Sequence, residues 1–382
     1  MTAPLEGLRV VDITQYVAGP YATLVLADMG AEVIKVERPG GDVYRRQGPV
    51  FLEGESASFL TLNRGKRSVV LDLGAEDDRE ALHRLLADAD VLVENGKPGS
   101  MAKFGFGWED VHARHPRLVY LSISGFGQEG PDAELGGYDL TIQALSGLMA
   151  MTGHPGQAPA KIPVAALDFG TGLYGVVGVL AALRERDRTG EGAWVTTSIL
   201  ESALAWLSMH MMTFAITGEE PQPLGSRSPF FAPYEAYEAA DGYLVIVGTG
   251  GSDAWGALLG VLGLERLYDD PRFAANGDRV ANAEVLREEI ETVLRTRTRA
   301  EWAAALDAAG VPNAPVQRLP DVLRSPQVEA MGIIGAVEHP IAGTVQIVRN
   351  PIRISGRETT TSLAPPLLDA DGDELRGAPP GP

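Results

Sequence analysis

The chain contains no cysteine among its 382 residues. That absence excludes disulfides, thiolate nucleophiles, iron–sulfur clusters and cysteine-ligated zinc together. Histidine is scarce, with six scattered residues; His112 and His115 form a close pair, and no His-Glu-x-x-His helix exists. No metal site is expected from such a set. Positive charge is in deficit: 32 Lys and Arg stand against 51 Asp and Glu, for a net charge of −19. Phosphate backbones require a basic surface, so this balance argues against a nucleic-acid partner. Long apolar runs are missing too. The run at 172–183 is too short to cross a bilayer, and the run at 199–217 is broken by Glu201 and His210. Glu6 and Arg9 sit where a signal peptide needs its apolar core. These absences predict a soluble cytoplasmic protein with no membrane partner.

What is present is an ordinary globular composition, 45% hydrophobic. At ~150 residues per domain, the length implies two domains with sizeable cores. Residues 8–12 read as a buried strand, Gly19-Pro20 opens an apolar helix that Gly30 closes, and 31–36 reads as the next strand. The alternation continues: strand 68–72, helix 76–89, strand 90–94, helix 108–115 and strand 117–123. Strands alternating with helices predict a doubly wound, mostly parallel α/β sheet. From 139 to 217 the pattern is mainly helical, with a strand at 193–197.

Residues 219–233, rich in Pro, Ser and Gly, read as a linker. Beyond it, strands 234–239 and 243–247 flank Asp241-Gly242, a hairpin signal, and helices follow at 253–263, 282–296 and 299–309. A second linker spans 316–331, and strands 333–338 and 344–349 flank Ala342-Gly343. Segment 364–382 reads as an extended or frayed arm. The expected layout is a large domain from 1–218 and 332–382, with a small α+β domain, 234–315, between the linkers.

Familiar signatures fail. Gly125-Phe-Gly-Gln-Glu-Gly130 matches a dinucleotide fingerprint, but Pro131 and Asp132 follow where a helix must open. Asp168-Phe-Gly170 lacks the other kinase motifs, and no Gly-x-Ser-x-Gly elbow occurs. Three features remain. Cationic, Gly-rich loops (38–41, 63–67 and 95–99) adjoin predicted parallel strands, whose carboxyl ends converge on a ligand crevice. Arg and Lys there suit phosphates, although composition alone reads them as solvated loops. Asp168 lies between apolar, small-residue flanks. Local sequence reads it first as a helix N-cap, with the dipole keeping it ionised; an ionised Asp in such a pocket is also a usable nucleophile. Gly248-Thr-Gly-Gly251-Ser-Asp253 reads as a strand-to-helix turn or as a mobile cover over a site.

Taken in order, several segments resemble the class III CoA-transferases, the formyl-CoA and carnitine CoA-transferase group, to which the α-methylacyl-CoA racemases are related. They are Leu5-Glu-Gly-Leu-Arg-Val-Val-Asp12 through Gly19-Pro20, Leu26 to Glu37, Asn63 to Leu73, Val91 to Asn95 with Pro98-Gly99, Gly137-Tyr-Asp139, and Asp168. The resemblance covers nearly the whole chain. It implies a Rossmann-like large domain built from both chain ends, a smaller inserted domain and an interlocked homodimer. It implies coenzyme A or an acyl-CoA as substrate rather than a tightly bound cofactor, and a small carboxylic acid as its partner. By position, Gln15, Tyr16, Val17, Ala18 and Arg38 flank the adenosine and phosphates. Arg67, Leu71, Asn95, Lys97, Lys103 and Phe104 line the rest. Gly96-Lys97 stands where the family often has an aromatic residue and Arg, so a cation is kept.

The resemblance further implies that Asp168 attacks the acyl-CoA thioester, with Tyr138, Gly250 and Gly251 completing the site. Backbone N–H groups near 137–138 or 169–171 are expected to meet the oxyanion. Arg227, or another cation near it, is a candidate for holding a second substrate carboxylate, although on its Ser/Pro linker it reads first as a solvated side chain. Two alternatives stand beside this reading. A racemase would need a second acid–base group, typically His where this chain has Tyr138. A non-catalytic acyl-CoA-binding protein would keep the cationic loops and make no use of Asp168.

Overall fold

The structure is a computed structural model that describes residues 3–248 and 252–377. It divides into two compact units. The first takes residues up to Leu148, Lys161–Glu219 and those from Glu329 on; the second takes Met149–Ala160 and Glu220–Val328.

In the first unit, neighbouring strand residues enter opposite cores. Val10, Val33, Val91 and Val119 are buried on one face; Val11, Ile34, Leu92 and Tyr120 are buried on the other. A period of two that is apolar on both faces belongs to a parallel sheet covered on both sides. The strands are β1 (Arg9–Asp12), β2 (Glu32–Glu37), β3 (Lys66–Val70), β4 (Val91–Glu94), β5 (Val119–Ser124) and β6 (Trp194–Ser198). They lie in the order β3-β2-β1-β4-β5-β6, and every pair is parallel. That is the doubly wound order, with its switch between β1 and β4.

Five helices matter for the site: α1 (Ala18–Asp28), α2 (Glu76–Ala87), α3 (Trp108–Arg114), α4 (Asp139–Leu145) and α5 (Ala166–Thr189). α1 and α5 bury apolar stripes on one face of the sheet, α2 and α3 on the other. α5 runs well past the apolar 172–183 and is long and apolar enough to cross a membrane. Its stripe Val176, Val179 and Leu183 lies instead in the core of the unit. α1 and α5 touch at Gly172, where a Cβ would stand 2.6 Å from the Ala18 carbonyl oxygen. Two further helices, α6 (Ile199–Trp206) and α7 (Ser208–Thr217), follow β6.

Four buried charges tie three strands of the sheet and the loop after β2 together. Lys66 Nζ lies 3.0 Å from Asp12 Oδ2, and Lys35 Nζ lies 2.8 Å from Asp42 Oδ2, with all four side chains at 0–1% exposure. Lys35 also donates to the Thr14 carbonyl, and Asp12 accepts from Thr14 and Thr23. Burial works to raise the Asp12 pKa, but Lys66, Lys35 and the threonine hydrogen bonds outweigh it and hold the carboxyl below its ordinary range. Burial pushes Lys66 down to about 8 despite Asp12.

Two expectations need correction here. Segment 63–67 does not reach the carboxyl end of a strand, because β3 begins at Lys66 and the segment enters it from the amino end. The tail is not free through its described part either. Asp369 accepts the Val70 N–H at 2.7 Å, and Asp371 accepts the Ser68 N–H at 2.9 Å. β3 is an edge strand, and the two carboxylates occupy backbone donors that would otherwise stand open.

In the second unit, β7 (Tyr234–Ala239), β8 (Gly242–Val247) and β9 (Asn313–Pro315) form an antiparallel sheet in the order β9-β8-β7. Helices α8 (Ser252–Leu262), α9 (Ala283–Leu294) and α10 (Arg299–Ala308) complete its core around Tyr237, Ile246, Leu258, Ile290 and Trp302. The hairpin turn is one residue earlier than expected, at Ala240-Asp241. In the first unit the C-terminal hairpin pairs β10 (Ile334–His339) with β11 (Gly343–Val348).

Replacing Asp12 with Asn leaves two buried ammonium groups short of their counter-charge. The substitution is expected to cost about 3–5 kcal/mol of unfolding free energy in a urea titration. A loss below about 1 kcal/mol would show that the network does not hold the sheet.

Candidate active site

A cavity of about 1120 Å³ opens at the carboxyl ends of β1 to β5, where doubly wound sheets bind ligands. Gln15, Tyr16 and Val17 line it from the loop after β1, with Ala18 at the start of α1. Arg38 follows β2, Leu71 follows β3, and Asn95, Lys97, Lys103 and Phe104 follow β4. Tyr138 precedes α4 and Asp168 stands in the first turn of α5, both on the same cavity. The sheet thus brings together most of the residues expected at the site.

Arg67 is not among them. Its guanidinium pairs with Glu32 at the amino end of β2 and with Asp371 and Glu374 of the tail. Gly250 and Gly251 lie outside the described residues. Arg227 is not a solvated cation: it pairs with Glu284 at 2.7 Å beside a separate cavity of about 360 Å³ in the second unit.

The loop geometry follows from specific bonds. Asn95 accepts the Gln15 N–H at 2.9 Å and donates to the Gln15 carbonyl at 2.6 Å. This reciprocal pair clamps the loops after β1 and β4 across the topological switch. The next residue, Tyr16, has φ +67, the left-handed region that side chains other than glycine seldom adopt. Its ring packs edge-on against Tyr44 and Tyr138, both at 5.7 Å between centroids. The false dinucleotide motif has other causes: Gly127 and Gly130 take left-handed φ values, and Gly125 packs on Gly137. A Cβ on Gly125 would stand 2.5 Å from the Gly137 Cα, so the two backbones touch just before Tyr138.

Three cations line the crevice. Arg38, Lys97 and Lys103 are exposed, and none joins a salt bridge among the described residues. The first turn of α1 opens on the same cavity with no side-chain cap. Free N–H groups and three cations make an anion-binding surface within an acidic chain.

Asp168 differs from its expected setting. It is not the N-cap of its helix, since α5 begins at Ala166. Nor does the helix terminus keep it strongly acidic. Burial raises its pKa to about 7, with the charge of Asp139 as the second cause. The proposed oxyanion donors are largely engaged. The Tyr138 N–H goes to Thr141 Oγ1, the Phe169 N–H goes to the Ala165 carbonyl, and residues 170–171 are helical.

Three residues of the site escaped the sequence reading. Tyr44 sits in a helical turn after β2, and burial and the charge of Asp168 raise its phenol above the ordinary value. Glu94 lines the cavity at the end of β4, and burial raises its pKa to about 7 although the Gly96 N–H donates to it at 2.7 Å. Asp139 bonds to the backbone that carries Asp168. Only the Glu94-Asn95 and Tyr138-Asp139 neighbours pointed toward two of them; nothing adjacent in sequence marked Tyr44.

This crevice has known counterparts. The model of the family described as CoA-transferase family III matches residues 5–372. The acetyl-CoA:oxalate CoA-transferase of Acetobacter aceti is 38% identical, over 98% of this chain and 95% of its own. The succinyl-CoA:glutarate CoA-transferase of Mus musculus is 36% identical, over 96% of this chain and 84% of its own. Among solved structures, a CAIB/BAIF family protein from Brucella suis superposes with a TM-score of 0.86 at 38% identity, covering 98% of this chain and 99% of that one. With the cationic crevice and its aspartate in place, the chain belongs to CoA-transferase family III and is an acyl-CoA:acid CoA-transferase.

Proposed function

We propose that the enzyme moves CoA from an acyl-CoA to a short dicarboxylic acid by covalent catalysis on Asp168. The observation that carries this reading is a part-buried carboxylate on the same cavity as Arg38, Lys97 and Lys103. Relatives named for oxalate, glutarate and mesaconate support the choice of acid. The cations and the α1 terminus hold the phosphates of CoA, and Asp168 meets the thioester.

An Asp168 oxygen attacks the thioester carbonyl, the C–S bond breaks, and CoA leaves as the thiolate. The mixed anhydride is then attacked at the aspartyl carbonyl by that thiolate, and the donor acid leaves. The acceptor carboxylate attacks the resulting aspartyl-CoA thioester and expels the thiolate again. In the last step the thiolate attacks the acceptor's carbonyl and Asp168 regains its carboxylate. Each step exchanges one acyl bond for another, so a hard transfer becomes several easier ones. Anhydrides hydrolyse readily, and the glycine-rich segment 248–251 is assigned to keep water out.

A racemase would need a second base at neutral pH. The phenols of Tyr16 and Tyr44 are raised above their ordinary range, which makes them weaker candidates for that role. The active form is assigned as an interlocked homodimer in the cytoplasm, with the small domain lying between the two linkers. Helix α7 supports the dimer: it has no buried residue and exposes Met209, Met212, Phe214 and Ile216. An apolar helix left open in one chain is a surface for another.

Asp168→Ala is expected to lower turnover by on the order of 10³-fold or more while CoA affinity, measured by calorimetry, stays within about threefold. Retained turnover would refute the reading. The nucleophile must be ionised, and its pKa of about 7 fixes the sign of the pH dependence. Below pH 7 the protonated fraction grows, so log kcat/KM for the acyl-CoA is expected to fall with decreasing pH. A flat profile from pH 8 to about 5 would contradict it. Light scattering is expected to give twice the mass of the chain; a monomer that turns over would exclude the interlocked form.

A further inference from the structure

The start of α5 has a cap that does not come from its own sequence. Its N-cap is Ala165, which has no side-chain acceptor. Asp139, the first residue of α4, fills that place: its Oδ2 accepts the Leu167 N–H at 2.8 Å and approaches the Asp168 N–H at 3.4 Å. Its Oδ1 accepts from the Gln143 side-chain amide, which in turn accepts the Ile162 N–H at 2.9 Å. Gln143 is fully buried and Asp139 is 9% exposed. The chain of bonds from residue 162 through Gln143 and Asp139 to residue 168 fixes the segment that presents the nucleophile. α4 is itself set by the backbone contact of Gly125 with Gly137.

We propose that Asp139 is a positioning residue for Asp168: it supplies the missing N-cap in trans and holds a like charge against the nucleophile. The proposal rests on Asp168 being the nucleophile. A helix N-terminus normally favours a nearby anion, but here the cap carries a charge of the same sign as Asp168. The consequence is a nucleophile whose backbone is rigid and whose basicity is kept up. Among the described residues, Asp139 is the charged group acting on Asp168. The other titratable groups gathered there are phenols: Tyr44 after β2, with Tyr16 after β1 packed between it and Tyr138 before α4.

The test is the pH profile of kcat/KM in Asp139→Asn, with kcat and KM resolved. Asn keeps an oxygen for the Leu167 N–H and removes the charge. The acid limb is expected to move to lower pH by about one pH unit. KM for the acyl-CoA should stay within about twofold, since Asp139 does not belong to the cationic surface. Asp139→Ser, smaller and also neutral, is read in the same way if the Asn variant misfolds. Asp139→Ala, which loses the acceptor too, should shift the limb equally and lower kcat further.

A limb that stays at the wild-type pH, or moves up, in a folded neutral variant overturns the proposal, because a purely structural role lowers kcat without moving it. Hydroxylamine trapping on the wild type separates this failure from that of the underlying reading. A wild-type enzyme that turns over with no adduct on the Asp168 peptide defeats the covalent mechanism. An adduct together with an unmoved limb defeats only the role of Asp139.

Discussion

The crevice depends on charges that never meet the substrate. Asp12, Lys66, Lys35 and Asp42 alternate in sign inside the first unit, where unpaired ions would be prohibitive. Asp12, Lys35 and Lys66 stand in β1, β2 and β3 and Asp42 follows β2, so pairing them joins three strands and anchors a loop to them. Lys35 reaches both Thr14 after β1 and Asp42 after β2. Those two loops carry Tyr16, Arg38 and Tyr44, and Asn95 then ties the first of them to the loop after β4. A crevice built from irregular backbone is in this way held as firmly as the sheet beneath it.

The proposed nucleophile poses the opposite problem. The net charge of −19 gives no long-range help to anionic substrates, so attraction has to be local. In the proposed reading Arg38, Lys97, Lys103 and the first turn of α1, all on the cavity, supply it. On the same cavity Asp168 acts on the Tyr44 phenol and is opposed by a second carboxylate, Asp139. A nearby cation would make it a weaker nucleophile, as ion pairing lowers the basicity of a carboxylate. Burial and Asp139, rather than a cation, set the basicity of Asp168, so in the proposed reaction one cavity both binds an anion and uses one.

How much of this could be read in advance differs by level. The strands at 8–12, 31–36 and 90–94 are legible because short apolar runs separated by helical patterns mark the buried strands of a parallel sheet. Asp168 stood out as a carboxylate in a small, apolar setting. Arg67 misled although 63–67 precedes its strand in sequence: a basic, Gly-rich segment reads as a ligand loop, whereas the guanidinium pairs with Glu32, Asp371 and Glu374 away from the carboxyl ends. The tail misled because its composition is that of a loose arm, whereas Asp369 and Asp371 meet an edge strand some 300 residues earlier in the chain. Asp139 and Tyr44 act through partners distant in sequence, and no local pattern encodes a helix cap supplied by another helix.

The most direct test of the account follows oxygen. If Asp168 forms an anhydride with the acceptor, CoA breaks the bond on the acceptor side, and the bridging oxygen stays with the aspartate. With an acceptor acid labelled in its carboxylate with oxygen-18, the peptide containing Asp168 should gain one or two heavy oxygens after turnover, seen by mass spectrometry. Product formation with that peptide unlabelled would contradict covalent transfer through Asp168.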